Sequence, residues 1–285
     1  MPAPRLRITA YERRHRSAML AVACGSQWTH KHLDWHATSR WLDNEMGQVL
    51  LAWHGEQLVG YIGISPASDG WSWICLLGIR DGRMPGLVVR ELCQTAEAQC
   101  RKRGVRSIVV LMVTNWLQTY LRAQGFRADE DIITMRRIGR RLPPMPKIPV
   151  GIRSAETPDF EDIMRIDRLA FDAPWQLTEA DLWQAYRIAA SLTVAHLDDE
   201  LVGYQLSTRQ DNVGHLARLA VHPSYRRRRV ATALLHRLIV DAGKWNVIQI
   251  SVNTQLGNRA SQRLYESCGF YRNGFDIELW RKQLN

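Results

Sequence analysis

The chain is 285 residues long, 46% hydrophobic and 23% charged, with a formal net charge of +10. That composition excludes a disordered or collagen-like polymer, and the lack of any uncharged apolar run of about 18 residues excludes a helical membrane span. The length is enough for two cores of ordinary domain size.

Five cysteines (Cys24, Cys75, Cys93, Cys100, Cys268) are scattered and form no C-x-x-C pair. Buried reduced thiols in a cytoplasmic protein are expected from that pattern, not disulfides or zinc. The N-terminal MPAPRLRITAYERRHRS has no apolar core of signal-peptide type. Residues 1–144 hold 20 basic and 12 acidic residues, whereas residues 145–285 hold 18 and 16. Most of this charge is dispersed, the compact clusters being RKRG at 101–104 and the arginines 226–229. A basic field suits a phosphorylated ligand, an acidic protein or a nucleic acid alike; without a longer basic stripe, nucleic acid is the least supported of the three.

In chain order, RLRIT at 5–9 reads as an opening strand and is followed by WTHKHLDWHATSRW, a weakly patterned segment. His30, His32 and His36 within it share no single helical face and have no matching carboxylates or cysteines, so they do not read as a metal site. The first half carries seven of the eleven tryptophans. An alternating segment and an acidic turn lead to LVGY at 58–61, and QGFRADEDIITMRR closes the half from Gln124. Residues 140–149, RRLPPMPKIP, hold four prolines and no periodic apolar face, as an extended linker would.

The same order then returns about 143 residues later: GIRSA at 151–155, LVGY at 201–204 and CGFYRNGFDIELWRK from Cys268. The chain therefore divides into residues 1–140, a linker at 141–149, and residues 150–285. In the second copy, Gly151–Ser154 reads as a strand and Asp159–Phe171 as an amphipathic helix with Phe160, Ile163, Ile166 and Leu169 on one side. Thr178 is placed to cap a helix whose apolar face is Leu182, Trp183 and Tyr186. Strands follow at 192–197 and 201–206 around the turn Asp198–Glu200, then at 215–221. A helix over 230–241, a strand over 246–252, a short helix over 260–267 ended by Gly269, and strands at 270–271 and 276–281 complete it. The class is mixed α/β (α+β), with antiparallel early strands and a strand–helix–strand–helix unit behind them.

Two stretches of this copy resemble the signatures of the GCN5-related N-acetyltransferase family. LAVHP at 219–223 is followed by Ser224, Tyr225 and the run Arg226-Arg227-Arg228-Arg229-Val230-Ala231, where the family has arginine or glutamine–x–x–glycine–x–glycine or alanine. The second stretch begins at Asn258 and ends Leu264-Tyr265-Glu266-Ser267-Cys268-Gly269-Phe270, with Ser261 at a family alanine. The resemblance implies two tandem domains, each a mixed, mostly antiparallel sheet splayed at its centre and flanked by helices. It also implies transfer of an acetyl group from acetyl-CoA to a primary amine, a small molecule or a peptide N-terminus or lysine, with the C-terminal copy active and the N-terminal copy degenerate. A non-catalytic acyl-CoA sensor is the alternative, and a basic nucleic-acid-associated protein a more distant one. Nothing in the sequence sets an oligomeric state.

On this resemblance, the amides from Arg226 through Val230 to Ala231, at a helix N-terminus, would ring a diphosphate, with Ala231 small enough for a backbone approach. Arg226, Arg227 and Arg228 would add charge, while Arg229 stands where the family has glycine. In the first half, Arg83–Val88 takes this place, keeping a glycine at Gly86 but with Pro85 removing an amide. Backbone groups of Leu219 and Val221 would hold the thioester and pantetheine arm, and Asn253 and Asn258 complete the expected cofactor set. Tyr265 matches a tyrosine that protonates the leaving thiolate, or else it is a core tyrosine. The first half has Leu121 there, with Tyr120 one position off. The general base is His215, with Asp211 or a water on Asn253 as alternatives. FDAPWQLTEADLW at 171–183 is similar to the acceptor-side segment of the peptide and ribosomal-protein members. It nominates Trp175 and Asp172 as acceptor contacts, Glu179 as a further anion, and packing as the plainer role for Trp175.

Overall fold

A computed structural model of the chain describes residues 5–32, 38–43, 47–139, 141–144 and 149–284. Trp35 and His36, together with residues 140 and 145–148 of the proline-rich stretch, lie outside the described residues. The chain forms two compact units: residues 1–130 with 278–285, and residues 131–277. Among the described residues no helix is long and apolar enough to cross a membrane.

The first unit contains β1 (Arg7–Ala10), α1 (Arg16–Gly25), β2 (Trp28–Lys31), α2 (Thr38–Asp43), β3 (Gln48–His54), β4 (Gln57–Ile64), β5 (Trp71–Ile79), α3 (Pro85–Lys102), β6 (Ser107–Leu111) and α4 (Trp116–Ala123). Next comes β7 (Arg127–Ile138), which from Asp131 onward belongs to the second unit. The second unit continues with β8 (Gly151–Ser154), α5 (Phe160–Ala170), α6 (Glu179–Ile188), β9 (Ser191–Leu197), β10 (Glu200–Gln210), β11 (Val213–Val221), α7 (Val230–Lys244), β12 (Gln249–Gln255), α8 (Arg259–Ser267) and β13 (Tyr271–Arg272). The last strand, β14 (Ile277–Gln283), joins the first unit from Glu278 onward.

The first sheet runs β1-β3-β4-β5-β6-β14 and the second β8-β9-β10-β11-β12-β7. In each, the central pair, β5/β6 or β11/β12, is parallel and the other neighbours are antiparallel. The compact units thus differ from the division at 140–150. The strand that ends the first half pairs Ile132–Ile138 with β12, and the strand that ends the chain pairs Leu279–Gln283 with β6.

The repeated LVGY has a packing cause. A Cβ on Gly60 would sit 2.5 Å from Val88 Cγ1 of α3, and one on Gly203 would sit 3.3 Å from Val230 Cγ1 and 3.4 Å from Leu234 Cδ1 of α7. Each glycine lets the long helix lie close on its sheet. The next residue points to the opposite face, so Tyr61 is buried against Met19 and Val22 of α1, and Tyr204 meets α5. Because Ala220 O lies only 2.8 Å from the Gly203 Cβ position, backbone must move to accept a methyl group. Gly203→Ala is expected to cost roughly 1–3 kcal/mol, as measured by urea unfolding. Unchanged stability would show that α7 can shift to make room.

Most of the second unit's elements lie where the spacing puts them. Thr178 Oγ1 accepts from Asp181 N–H (3.1 Å), as the cap requires, and Asp198 and Asp199 form the β9–β10 turn with φ of +52° and +64°. Three readings are corrected. Helix α6 buries Leu182, Gln184 and Ala185, while Trp183 and Tyr186 are exposed and pack edge-on to Phe160. β12 begins at Gln249, not Asn246, which adopts φ +58° in the preceding turn. In α5, Leu169 is 50% exposed while Asp167 is fully buried, so a carboxylate holds a place on the buried face. Cys24 is exposed, unlike the other four cysteines.

Candidate active site

The second sheet opens at its centre. β11 and β12 pair from Val213–Leu216 against Gln249–Val252 and no further. Beyond that point β11 stays on β10 up to Val221, and β12 stays on β7 up to Gln255. The parting coincides with a register shift: Leu206 faces Arg218 and Ser207 faces Leu216, so Ala217 is an extra residue on β11. A bulge of this kind bends the strand and increases its twist, turning the edges Ala217–Val221 and Asn253–Gln255 apart. Leu219 and Val221 lie on the first edge and Asn253 on the second, where its side chain is exposed.

The open edge of β11 leads into the arginine loop. A short turn, Pro223–Tyr225, is followed by Arg226 in extended backbone, and α7 starts at Val230. The first helical bond runs from Ala233 N–H to Arg229 C=O (3.0 Å), which leaves the amides of Val230, Ala231 and Thr232 without helical acceptors. Arg226 to Arg229 are all exposed. The Arg228 guanidinium lies 5.1 Å over the Tyr225 ring, and Tyr225 O–H donates to Glu200 Oε2 (2.6 Å). That hydrogen bond, with some burial and the Glu200 charge, raises the phenol's pKa above its ordinary value. Arg226, Arg227 and Arg229 make no ion pair among the described residues. Uncompensated cations at the positive end of a helix dipole are unfavourable in the free protein and complementary to an anion.

Arg227 and Arg229 both have φ +61°. The loop therefore keeps, at 229, the left-handed backbone that a glycine would adopt without strain. A side chain in this region costs about 1 kcal/mol, so Arg229→Gly is expected to stabilise the protein by roughly that amount, and urea unfolding measures it. A destabilised variant would show that the Arg229 side chain makes a contact worth more than its strain.

Tyr265 on α8 is 6% exposed and packs in the second unit's core, its ring 5.7 Å from Phe270. Its hydroxyl donates to no acceptor among the described residues, and burial pushes its pKa well above the ordinary phenol value. It is held as a neutral O–H donor. In the first unit the matching helix buries Leu121 at 0% exposure.

The other expected residues separate. His215 lies on the closed, paired side of the bulge, its Nδ1 2.9 Å from Ser251 Oγ. Asp211 occupies the β10–β11 turn with φ +52°. Asn258 caps α8, its Oδ1 accepting from Ser261 N–H (3.1 Å), so its oxygen has a structural role. Asp172 and Glu179 are exposed, and Asp172 C=O accepts from Trp175 N–H (2.8 Å). Trp175 is half-buried. In the first unit, His30 lies on β2 and His32 stacks on Trp73 with ring centres 4.2 Å apart.

One constellation escapes the motif reading. Asp167 on α5 accepts from Leu177 N–H at Oδ1 (2.8 Å), and from Tyr204 O–H and Arg218 Nη2 at Oδ2. Arg218 Nη1 also donates to Trp175 C=O (2.8 Å), and its guanidinium lies 4.0 Å over the Phe171 ring. Burial opposes the Arg218 charge, but the oxygens of Tyr204 and Asp167 outweigh it and hold the guanidinium protonated. Arg218, next to the bulge, thereby pins the loop from Phe171 to Leu177 to the point where the sheet opens. The only signal for it in sequence is a charged residue at each end of the pair, both set within apolar runs.

Residues 160–270 match the family model described as "Acetyltransferase (GNAT) family". An uncharacterized N-acetyltransferase of Mycobacterium tuberculosis is 33% identical over 86 residues, covering 30% of this chain and 54% of that protein. The mycothiol acetyltransferase of Brachybacterium faecium is 28% identical over 179 residues, covering 56% of this chain and 54% of that protein. The chain thus spans about half the length of the curated relatives it matches. Among solved structures, a tandem GNAT protein from the clavulanic acid biosynthesis pathway aligns over 99% of both chains with a TM-score of 0.68 at 13% identity, which shows the shared fold.

Proposed function

We propose, from the match of residues 160–270 to the acetyltransferase (GNAT) family model, that the second unit transfers an acetyl group from acetyl-CoA to a primary amine. The observation that carries this reading is the parting of β11 from β12 at Leu216, which opens an unpaired strand edge directly toward exposed arginines and free helix amides. Those features suit two parts of one extended ligand. The edge at Leu219 and Val221 offers backbone donors and acceptors to an amide-bearing arm, and the start of α7 suits a diphosphate. Bound acetyl-CoA supplies an activated thioester. Tyr265 holds a proton for the departing sulfur, and its burial keeps that proton in place through neutral pH.

The amine enters from the other face of the sheet, where Arg218 fixes the loop containing Asp172 and Trp175. His215, just behind the bulge, serves as the base directly or through a water. If so, His215→Ala lowers kcat at least about ten-fold while leaving acetyl-CoA affinity unchanged. The acceptor is a small-molecule amine or the amine of a peptide N-terminus or lysine.

Titration calorimetry of the full chain with acetyl-CoA tests the cofactor part. Wild type should bind, and Ala231→Phe should weaken binding at least about ten-fold by blocking the backbone approach. Of the single Arg226→Ala and Arg228→Ala changes, at least one should cost roughly 1.5–3 kcal/mol, as for a hydrogen bond to a charged group. Equal affinity in all of these variants would refute the placement of the diphosphate.

A further inference from the structure

The first sheet opens in the same way, with a different outcome. β5 pairs with β6 only from Trp71–Trp73 against Ser107–Val109, while β5 runs on to Ile79. With the parallel pairs aligned, Leu76–Ile79 of β5 correspond to Arg218–Val221 of β11. In the second unit that edge has no strand partner among the described residues. In the first unit it is taken: β2 runs antiparallel along it, with Trp28 opposite Ile79, Thr29 opposite Gly78, His30 opposite Leu77 and Lys31 opposite Leu76. His32 N–H extends the ladder by donating to Cys75 C=O (2.9 Å).

Helix α4 holds this strand in place. Trp116 Nε1–H donates to Thr29 C=O (3.3 Å), and the Trp116 and Tyr120 rings lie 5.5 and 6.0 Å from Trp28. The same helix position that presents Tyr265 in the second unit is closed here by Leu121. The phosphate end is altered as well. Five residues separate β5 from α3, against eight between β11 and α7, and α3 opens on Pro85, which has no amide hydrogen to offer.

We propose that β2 is a built-in occupant of the first unit's cofactor cleft, so that the chain carries a single acyl-CoA site, in the second unit. This rests on the reading of the second unit's open edge as the cofactor rail. Residues 28–31 supply to β5 the backbone pairing that an extended ligand would otherwise make, and the aromatic residues of the first half seal it there. The first unit then contributes fold, not a second reaction.

Hydrogen exchange by mass spectrometry and calorimetry on the full chain, with acetyl-CoA as the probe, test this. Peptides spanning 28–32 and 74–79 should be protected without ligand and unchanged by acetyl-CoA, the binding stoichiometry should be one, and added protection should fall in 216–233. A stoichiometry of two, ligand-induced protection at 74–79, or rapid exchange of residues 30 and 32 in the free protein would overturn the proposal. If acetyl-CoA does not bind at all, the cofactor assignment of the second unit fails. Exchange at residues 28–32 then still decides whether β2 is seated. His30→Pro, which removes an amide from the ladder, should raise exchange at 74–79; no rise would also count against the seated strand.

Discussion

Tyr265→Phe is expected to lower kcat by roughly ten- to a thousand-fold while leaving acetyl-CoA affinity within about two-fold, since only a proton donor is lost. The ring stays, so its packing against Phe270 and the surrounding core stays with it. The hydroxyl donates to no acceptor among the described residues, so its removal breaks no hydrogen bond there and stability should hold within about 1 kcal/mol. The pH profile separates this role from a packing role. Burial raises the phenol's pKa above 10.0, so Tyr265 remains protonated across the neutral range and imposes no alkaline decline there. The variant should lower the whole profile without moving its acidic limb. A variant with unchanged kcat would assign protonation of the thiolate to another group or to solvent.

Arg218→Met should be the most damaging single change for the acceptor side. It leaves the Asp167 carboxylate at 0% exposure without its guanidinium, and breaking a buried pair in this way costs about 3–5 kcal/mol. It also frees Trp175 C=O and uncovers Phe171, so the loop from Phe171 to Leu177 loses its tie to β11. For an amine substrate, KM should rise far more than KM for acetyl-CoA, because the arginine loop leads into α7, which packs on the face of the sheet opposite α5. Arg218→Lys keeps the charge beside Asp167 and should recover part of the stability but less of the amine KM, since a single ammonium cannot reach both partners with the same geometry. A comparable rise in both KM values together with the loss of stability would point to general unfolding and not to loop positioning.

Much of the fold is legible in the sequence because its determinants are local. Thr178 caps α6, Asp198 and Asp199 make the turn, and Gly60 and Gly203 recur because a long helix must approach each sheet. The features that escape depend on pairing between distant residues. The strands ending the two halves have similar alternating patterns, so nothing local says that Ile132–Ile138 joins β12 or that Leu279–Gln283 joins β6. Residues 28–31 have no strong strand pattern, and only the open edge of β5 makes them one. Asp167 interrupts the apolar face of α5, which periodicity counts as noise until Tyr204 and Arg218 are brought to it by the sheet.

The candidate site follows the same division. The arginine loop and Tyr265 were marked by motif, and the structure puts them at the mouth of the opened sheet and in the core beneath α8. Arg229 departs from the family residue, yet its backbone at φ +61° keeps the conformation that residue would have. Asn258, nominated for the cofactor, uses its side-chain oxygen to cap α8. Short motifs cannot separate capping from binding, because both use the same acceptor chemistry.

The most direct test of the central claim is release of free coenzyme A thiol from acetyl-CoA by the full chain, across a panel of peptide N-termini, lysine-containing peptides, aminoglycosides and polyamines, with products weighed by mass spectrometry. The account predicts amine-dependent thiol release with at least one of these, formation of the N-acetyl product in equal amount, and a fall of both by roughly ten- to a thousand-fold in Tyr265→Phe. Tight acetyl-CoA binding with no thiol release from any amine, or release that Tyr265→Phe leaves unchanged, would contradict it.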